Sequence, residues 1–326
     1  MSRIVVLGDL NLDVYAKHPG DLSPGSETRS TVRTAPGGSA GTFARTAAAE
    51  GAEVTFVGSV GNDLVGDLLI RSLEESGVAP IVSRDDRPSG TILSLQHGDE
   101  RTMICSRGAN DGLTAGVLDE TAFADADHLH VSGYAFLSPT QRSAAQRAIA
   151  LAKRNGSTVS VDPPPESLIA ASGVAAFLAE LADVGWLFPN LAEGQALAEG
   201  QALAEGQALT EGRASTGFET PAQIADALVN AFPIGAVTLG ASGALAWDRD
   251  ERNLEAPGES SPGNPTGAGD AYAAAFVVAF LGGASLQAAN ARGCAVAAEH
   301  IRRSVEPVRL LSCPGESDDT RPLRRA

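Results

Sequence analysis

Short β-branched apolar runs recur along this chain between Ala-rich stretches with helical spacing. Runs at residues 4–7, 53–57, 128–131, 158–161, 184–188 and 236–239 predict strands, and stretches at 40–50, 64–75, 140–155, 221–230 and 271–281 predict helices. The strand runs are continuously apolar rather than alternating, so both of their faces are expected to be buried. Strands and helices in alternation predict an α/β domain with a doubly wound, mostly parallel sheet. Ligands of such sheets sit beyond the carboxyl ends of the strands.

Two segments break the rhythm. Residues 12–35 and 80–105 are polar, alternating and turn-rich, as in Thr91-Ile92-Leu93-Ser94-Leu95-Gln96 and Arg101-Thr102-Met103-Ile104-Cys105. They predict hairpins of a small antiparallel β-sheet that leaves the main domain. Such a sheet is either a lid over a substrate pocket, with or without dimerisation through it, or a plain edge extension. Gly37-Gly38, directly after the first excursion, is placed to act as a hinge.

A repeat adds a third irregularity. Ala-Glu-Gly-Gln-Ala-Leu stands in tandem at 192–197, 198–203 and 204–209, followed by a decayed copy at 210–215. A six-residue period advances ~600° around a helix, so successive leucines point in three directions and form no single apolar stripe. Each copy also carries a helix-weakening glycine. The repeat is expected to be an in-frame expansion of a surface helix end or loop within about 192–215. From about residue 311 the chain turns to Pro, Gly and charge, and a flexible tail is expected over 311–326. The expectation is therefore one domain over 1–310.

Composition narrows the partners. The 326 residues hold 24 Lys plus Arg against 40 Asp plus Glu, a net charge of −16, which argues against non-specific nucleic-acid binding. A nucleotide ligand remains open, because backbone amides and one or two cations suffice for phosphate. The three cysteines, Cys105, Cys294 and Cys313, show neither paired nor metal-binding spacing, which fits a reducing, cytoplasmic setting. The first residues run at once into a strand pattern, with no basic-then-apolar leader. The longest apolar stretch, 271–284, is too short and Gly-interrupted for a membrane span, so no membrane partner is expected. The five histidines form no triad or metal pattern, and His128 and His130 are expected to be structural.

The strongest chemical signal is Gly267-Ala268-Gly269-Asp270, followed at once by a small-residue helix. Glycines bring backbone N–H groups close to a ligand, and at a helix start those amides form an anion site. Asp270 then stands where a carboxylate could take a proton from an attacking hydroxyl. By itself the run is equally an ordinary loop with an Asp near a helix start. No G-x-x-x-x-G-K-[ST] run is present, which excludes a P-loop kinase.

Other runs stand in order around it. They are Asn11-Leu12-Asp13, Gly37-Gly38-Ser39-Ala40 continuing through Gly61-Asn62-Asp63 to Gly66, Asn190-Leu191-Ala192-Glu193, Thr238-Leu239-Gly240-Ala241-Ser242-Gly243, and the run from Asn264 to Asp270. With these five motifs the chain resembles the ribokinase-like (PfkB) family of sugar and nucleoside kinases over roughly residues 3–300. The resemblance implies the ribokinase-like fold with its β lid, ATP and Mg²⁺ as cofactors, and a small sugar-like acceptor. It implies Asp270 as base and the amides of Gly267, Ala268 and Gly269 as anion hole. Asn11, Asp13, Gly37, Gly38 and Thr42 fall at substrate-binding positions. Asn190, Thr238, Gly240, Gly243 and Asn290 fall at nucleotide positions, and Glu193 at a position that organises Mg²⁺ and its waters.

Each motif also has a plainer reading: a turn Asp for Asp13, ordinary turns for the glycines, a helix cap for Asn190 and Glu193. Within the repeat only Glu193 has an Asn three positions earlier, so Glu199, Glu205 and Glu211 are not assigned to metal. Asn264, followed by Pro265, replaces the acid that opens the family's D-T-x-G-A-G-D run, and beyond Ser304 the usual loop is not clear. The need for a monovalent cation stays open. Thr42 replaces a common substrate-contacting Asn. A nucleoside or sugar-phosphate kinase remains an alternative, with Arg33, Arg101 and Arg107 as candidate extra cations, and so does a non-catalytic sugar-sensing homologue.

Overall fold

A computed structural model of the chain describes residues 1–17, 22, 25–97, 100–204, 218–256 and 263–303, with 100 and 101 described by their backbone alone. Its strands are β1 Arg3–Leu7, β2 Asn11–Lys17, β3 Thr31–Gly37, β4 Glu53–Gly61, β5 Val78–Asp85, β6 Gly90–His97, β7 Glu100–Ser106, β8 His128–Ser132, β9 Thr158–Asp162, β10 Trp186–Leu187, β11 Ile234–Thr238, β12 Ala244–Trp247 and β13 Arg252–Glu255. Its α-helices are α1 Ser39–Ala49, α2 Leu64–Glu75, α3 Glu120–Ala124, α4 Pro139–Arg154, α5 Glu166–Ser172, α6 Val174–Glu180, α7 Leu191–Ala204, α8 Pro221–Leu228, α9 Ala268–Leu281 and α10 Leu286–Arg303.

The apolar runs become a nine-stranded sheet in the order β13-β12-β11-β10-β9-β8-β1-β4-β5. Every pair from β11 to β5 is parallel, and β12 and β13 close the far edge as antiparallel strands. Ile4, Val5, Val6 and Leu7 are all buried, as continuous apolar strands require. One face packs Phe43 of α1, Leu69 and Leu73 of α2, and Tyr272 and Phe276 of α9. The other packs Ala144, Ala148 and Ile149 of α4 and Ile224 and Leu228 of α8. The doubly wound α/β expectation is met.

A second sheet, in the order β3-β2-β6-β7, stands apart from the first. Its outer pairs are antiparallel and its central pair, β2 with β6, is parallel. Its root is narrow, since Asn11 pairs with both Gly37 and Gly90. The second segment of the small sheet, expected over 80–105, begins at Gly90 and not at 80, because residues 78–85 pair with β4 as the edge of the main sheet. Half-buried alternation marks an edge strand without saying which sheet it joins. Asp63 caps α2 and also braces this root, accepting from the amides of Gly66 (2.7 Å) and Ser89 (2.8 Å) and from the Ser89 hydroxyl (2.7 Å).

The first two repeat copies are helical and partly internal, not a surface loop. They lie in α7, where Glu193, Gly194, Leu197, Ala198, Gly200 and Ala202 are buried. Contacts on several sides satisfy a helix whose leucines point in different directions. A Cβ on Gly200 would stand 2.4 Å from Val174 Cγ1 of α6, so the repeat's glycine is where two helices touch. Helix α10 escaped the sequence pattern. Its Gly293 is pressed on the Tyr272 ring, where a Cβ would lie 2.7 Å from two ring carbons. Residues 205–217, the tail 311–326 and the loop after 303 lie outside the described residues, and with them Glu205, Glu211 and Cys313. Among the described residues no helix is long and apolar enough to cross a membrane.

Candidate active site

The carboxyl ends of β1, β8, β9 and β11 open on one edge of the main sheet, beneath the root of the small one. β1 stops at Leu7, and Asp9 follows in the link to β2. Asp9 is buried, accepting at Oδ1 from the Ser132 hydroxyl (2.9 Å) and at Oδ2 from the Asn11 side-chain amide and the Ser39 amide (both 3.1 Å). It thereby joins the ends of β1 and β8 to the start of α1.

Asp13 lies two residues inside β2 of the small sheet, not at the end of β1. Its Oδ2 accepts from the Tyr15 hydroxyl at 2.8 Å, while its Oδ1 is buried without a partner. Burial pushes this carboxyl up to about 6, although the Tyr15 hydrogen bond and the field of Arg45 pull the other way. Gly37 faces it, and a Cβ there would stand 2.2 Å from Oδ2. Gly38 has a φ of 89°, and a Cβ on it would meet the Asp9 carbonyl at 2.6 Å. Both glycines are therefore required by close approach as well as by the turn.

Helix α9 starts at Ala268 after Gly267, which is left-handed with φ 80° and provides no side-chain cap. The first turn of a helix leaves its amides without intrahelical acceptors. Ala268 is an exception here, since its amide donates to the Pro265 carbonyl at 3.1 Å. Of the amides expected to form an anion hole, that of Ala268 is therefore already taken. A Cβ on Gly269 would meet nothing within 4 Å, so open space lies in front of it. Thr42 of α1 closes the side of this loop, its Cγ2 3.2 Å from where a Gly267 Cβ would be. His300 of α10 donates from Nε2 to the Thr266 carbonyl at 2.9 Å and holds the loop from the other side.

Asp270, in the first turn of α9, accepts hydrogen bonds from the Ser39 hydroxyl and from the Asp162 carboxyl at the end of β9. Burial pushes Asp270 up, and these two donors pull it back down. Asp162 is pushed well above the carboxylate range by burial and by the charges of Asp270 and Glu193. Within the pair the shared hydrogen bond raises Asp162 and lowers Asp270. Tyr134, after β8, is raised by burial and by Asp9 and Asp270, so its ring belongs to the same wall. The Arg107 guanidinium lies 5.5 Å from that ring and is bound to Asp111 and Gln141.

Asn190 and Glu193 form a reciprocal cap on α7. Glu193 Oε2 accepts from the Asn190 amide (2.8 Å), Oε1 from the Asn190 side chain (2.6 Å), and Asn190 Oδ1 accepts from the Glu193 amide (3.0 Å). That is the plainer, helix-cap reading. The burial is not that of a surface cap: Glu193 is 6% exposed, and burial pushes its carboxyl up to about 8. A bridge between Asn190 and Thr238 sets this cap beside the turn that follows β11. That turn joins two antiparallel strands, with Gly240 at φ 59° and Gly243 at φ 91°, and a Cβ on Gly240 would meet nothing.

Two expected contacts are used up elsewhere. Asn290 is fully buried; it accepts from the Tyr272 hydroxyl (2.6 Å) and its Nδ2 points at the carbonyls of Ala244 (3.1 Å) and Asn253 (2.9 Å). It clamps α9 and α10 to β12 and β13, and the assignment to a nucleotide pocket is corrected on that ground. Asn11 is likewise committed, donating to Asp9 and accepting from Asn110 at 2.8 Å. Asp9, Ser39, Arg45, Asn110, Tyr134, Asp162 and His300 were not singled out in the sequence, although Ser39 stands inside a quoted motif. A polar residue ending an apolar strand is the signal that could have found Asp162. Arg33 stacks on Tyr15, its guanidinium 5.4 Å from the ring.

A mostly parallel sheet, a smaller sheet rooted over its carboxyl edge, and a glycine-led helix start at that edge define the class of the ribokinase-like folds. Solved structures agree: an adenosine kinase from Sinorhizobium meliloti superposes with a TM-score of 0.78 at 22% identity over 92% of this chain and 94% of that one. An Arabidopsis thaliana ribokinase complexed with ribose and ATP gives 0.72 at 22% identity, over 93% of this chain and 93% of that one. A model of the pfkB family carbohydrate kinases matches residues 1–305, and the chain belongs to that family. A 2-dehydro-3-deoxygluconokinase from Bacillus subtilis (strain 168) is 29% identical over 267 residues, 77% of this chain and 76% of that protein. Membership makes the protein an ATP-dependent carbohydrate kinase, moving a phosphoryl group to a sugar.

Proposed function

We propose that Asp270 is the base that takes the proton from an acceptor hydroxyl as the γ-phosphoryl of ATP is transferred in line to it. The observation that carries this reading is the position of the Asp270 carboxylate. It sits in the first turn of an uncapped helix, is held by donors from α1 and β9, and stands on the same edge as the unpartnered Asp13 oxygen. Asp13 and the Gly37-Gly38 turn hold the acceptor. The amides at Gly269 and the positive end of α9 face the transferring phosphoryl group, where charge builds up. The nucleotide lies along the turn with Gly240 and Gly243, beside the Asn190–Glu193 cap.

The donor set fits a magnesium ion held mainly through waters and phosphate oxygens. No cluster of three or more metal-ligating side chains exists among the described residues, and both oxygens of Glu193 are taken by Asn190. Glu193, buried, and Asp162, half-buried, are carboxyls whose raised values a cation would relieve. When bound, Mg²⁺ neutralises charge between the phosphates. Glu193 orients its waters from the outer side. Closure of the small sheet on its narrow root excludes bulk water, which would otherwise compete as acceptor.

The test is ADP release over a panel of pentoses, hexoses, sugar acids, sugar phosphates and nucleosides, with Asp270→Asn beside the wild type. The name of the Bacillus subtilis relative puts sugar acids on that panel. Stimulation by one acceptor and its loss in Asp270→Asn are expected. A non-catalytic sugar-sensing homologue would bind an acceptor without releasing ADP, and intact Asp270 and Asn190–Glu193 weigh against that.

A further inference from the structure

Beside Asp13, one cation has no place in the scheme above. Arg45, on α1 one turn beyond Gly41, donates from Nη2 to the Pro36 carbonyl at 3.1 Å, at the end of β3. Its Nη1 is closed off from solvent and has no hydrogen-bond partner. The ionisable groups that face the guanidinium are Asp13, Asp270 and Tyr15, which are groups of the acceptor end. Arg45 is not spent on Asp13 either, since Asp13 Oδ1 is itself buried and without a partner.

Two orphaned buried atoms of opposite character therefore stand at the acceptor end, each group in the field of the other. A buried donor on a charged group left unmatched is costly, and so is a buried carboxylate oxygen. One molecule satisfies both if it offers a hydroxyl proton to Asp13 and a charged oxygen to Arg45. A neutral sugar offers only hydroxyl oxygens to the guanidinium, which are weaker acceptors than a carboxylate. A phosphate ester brings nearly two charges to a spot where Arg45 is the one unspent cation among the described side chains, since Arg107 is already bound to Asp111 and Gln141.

We infer that the acceptor is a polyhydroxy acid whose carboxylate is bound by Arg45 while one of its hydroxyls is held by Asp13. This rests on the reading of Asp13 as the acceptor's anchor and deepens it to a substrate class. Burial has already depressed the Arg45 guanidinium to about 10, against the fields of Asp13 and Asp270, which agrees with a cation short of counter-charge.

The experiment is calorimetric titration of the full chain, with Mg²⁺ and a non-hydrolysable ATP analogue, against matched pairs of an aldonic acid and its parent aldose. A third arm uses the corresponding aldose phosphates. The wild type is expected to bind at least one acid tenfold or more tightly than its aldose. Arg45→Gln should reduce that preference to below threefold, and Arg45→Lys should keep part of it. The inference is overturned if every aldose matches its acid, or if Arg45→Gln weakens both members equally, as a mere counter-ion for Asp13 would. It is equally overturned if the phosphates carry the Arg45-dependent preference. The wild-type comparison stands even if a variant does not fold. Because titration needs no turnover, an acid preference without ADP release would sink the kinase reading and leave this one intact.

Discussion

The Asp162 carboxyl, at the end of β9, donates a hydrogen bond to the carboxylate of Asp270, in the first turn of α9. That hydrogen bond raises Asp162 and lowers Asp270. Replacing Asp162 by Ala removes a donor that lowers Asp270, so the acid limb of the kcat–pH profile should move to higher pH. Asp162→Asn keeps a donor and should move it less. Profiles of both variants that overlay the wild type would show that the pair is not coupled.

Asp270→Asn should lower kcat by about 10²–10⁴ with little change in acceptor KM, the range for a lost general base. Its melting temperature should not fall, because a half-buried carboxyl beside other carboxyls is neutralised. A loss confined to KM would make Asp270 a binding group only.

Gly269 separates ligand space from protein packing. Nothing lies within 4 Å of a Cβ there, so Gly269→Ala should keep or raise stability, by up to about 1 kcal/mol from helix propensity. The same methyl group enters the space in front of the helix start, and turnover should fall at least tenfold. Unchanged kinetics would place the phosphates elsewhere.

The pH dependence of stability has a sign set by Glu193. Its carboxyl rises from 4.5 to about 8 on folding, so between those values the folded chain holds a proton that the unfolded chain has lost. Stability contributed by this group is full below about pH 4.5 and falls as pH rises toward 8. The melting temperature of the ligand-free protein should decline across that window, and Glu193→Gln should flatten the slope. Added Mg²⁺ and nucleotide should restore stability most at the upper end. A Glu193→Gln slope as steep as the wild type would remove the assignment.

Asn290→Ala should cost stability, on the order of several kcal/mol, because it strands the Tyr272 hydroxyl and two carbonyls in the core. ATP KM of the folded variant should stay within about twofold. A large KM change without destabilisation would return Asn290 to the nucleotide pocket.

The chain's own pattern carried β1, β4, β8, β9, β10 and β11 of the main sheet, because burial on both faces writes itself as unbroken apolar runs, whereas β5, β12 and β13 toward its margins were not read. It carried the helix start at Gly267 to Asp270, because a left-handed turn that meets a ligand needs glycine. Helix α2 spans Leu64–Glu75, the range its periodicity predicts. The repeat misled, because a helix touched on several sides has no stripe to read. Helix α10 was missed for a related reason, as its small and charged residues dilute the apolar period.

Asp270 and Asp13 were therefore legible as chemistry in the sequence, each by its glycine neighbours or its place in a motif. Their surroundings were not. Asp162 and Arg45 stand 108 and 225 residues from Asp270 along the chain, and nothing local marks them as its neighbours. Only the tertiary structure brings β9, α1 and α9 to one edge and decides, through burial and shared hydrogen bonds, which carboxyls are raised and which cation is left unspent. Sequence determines which groups exist and which backbone turns they can ride on, whereas their charge states depend on desolvation and partners that folding alone assembles.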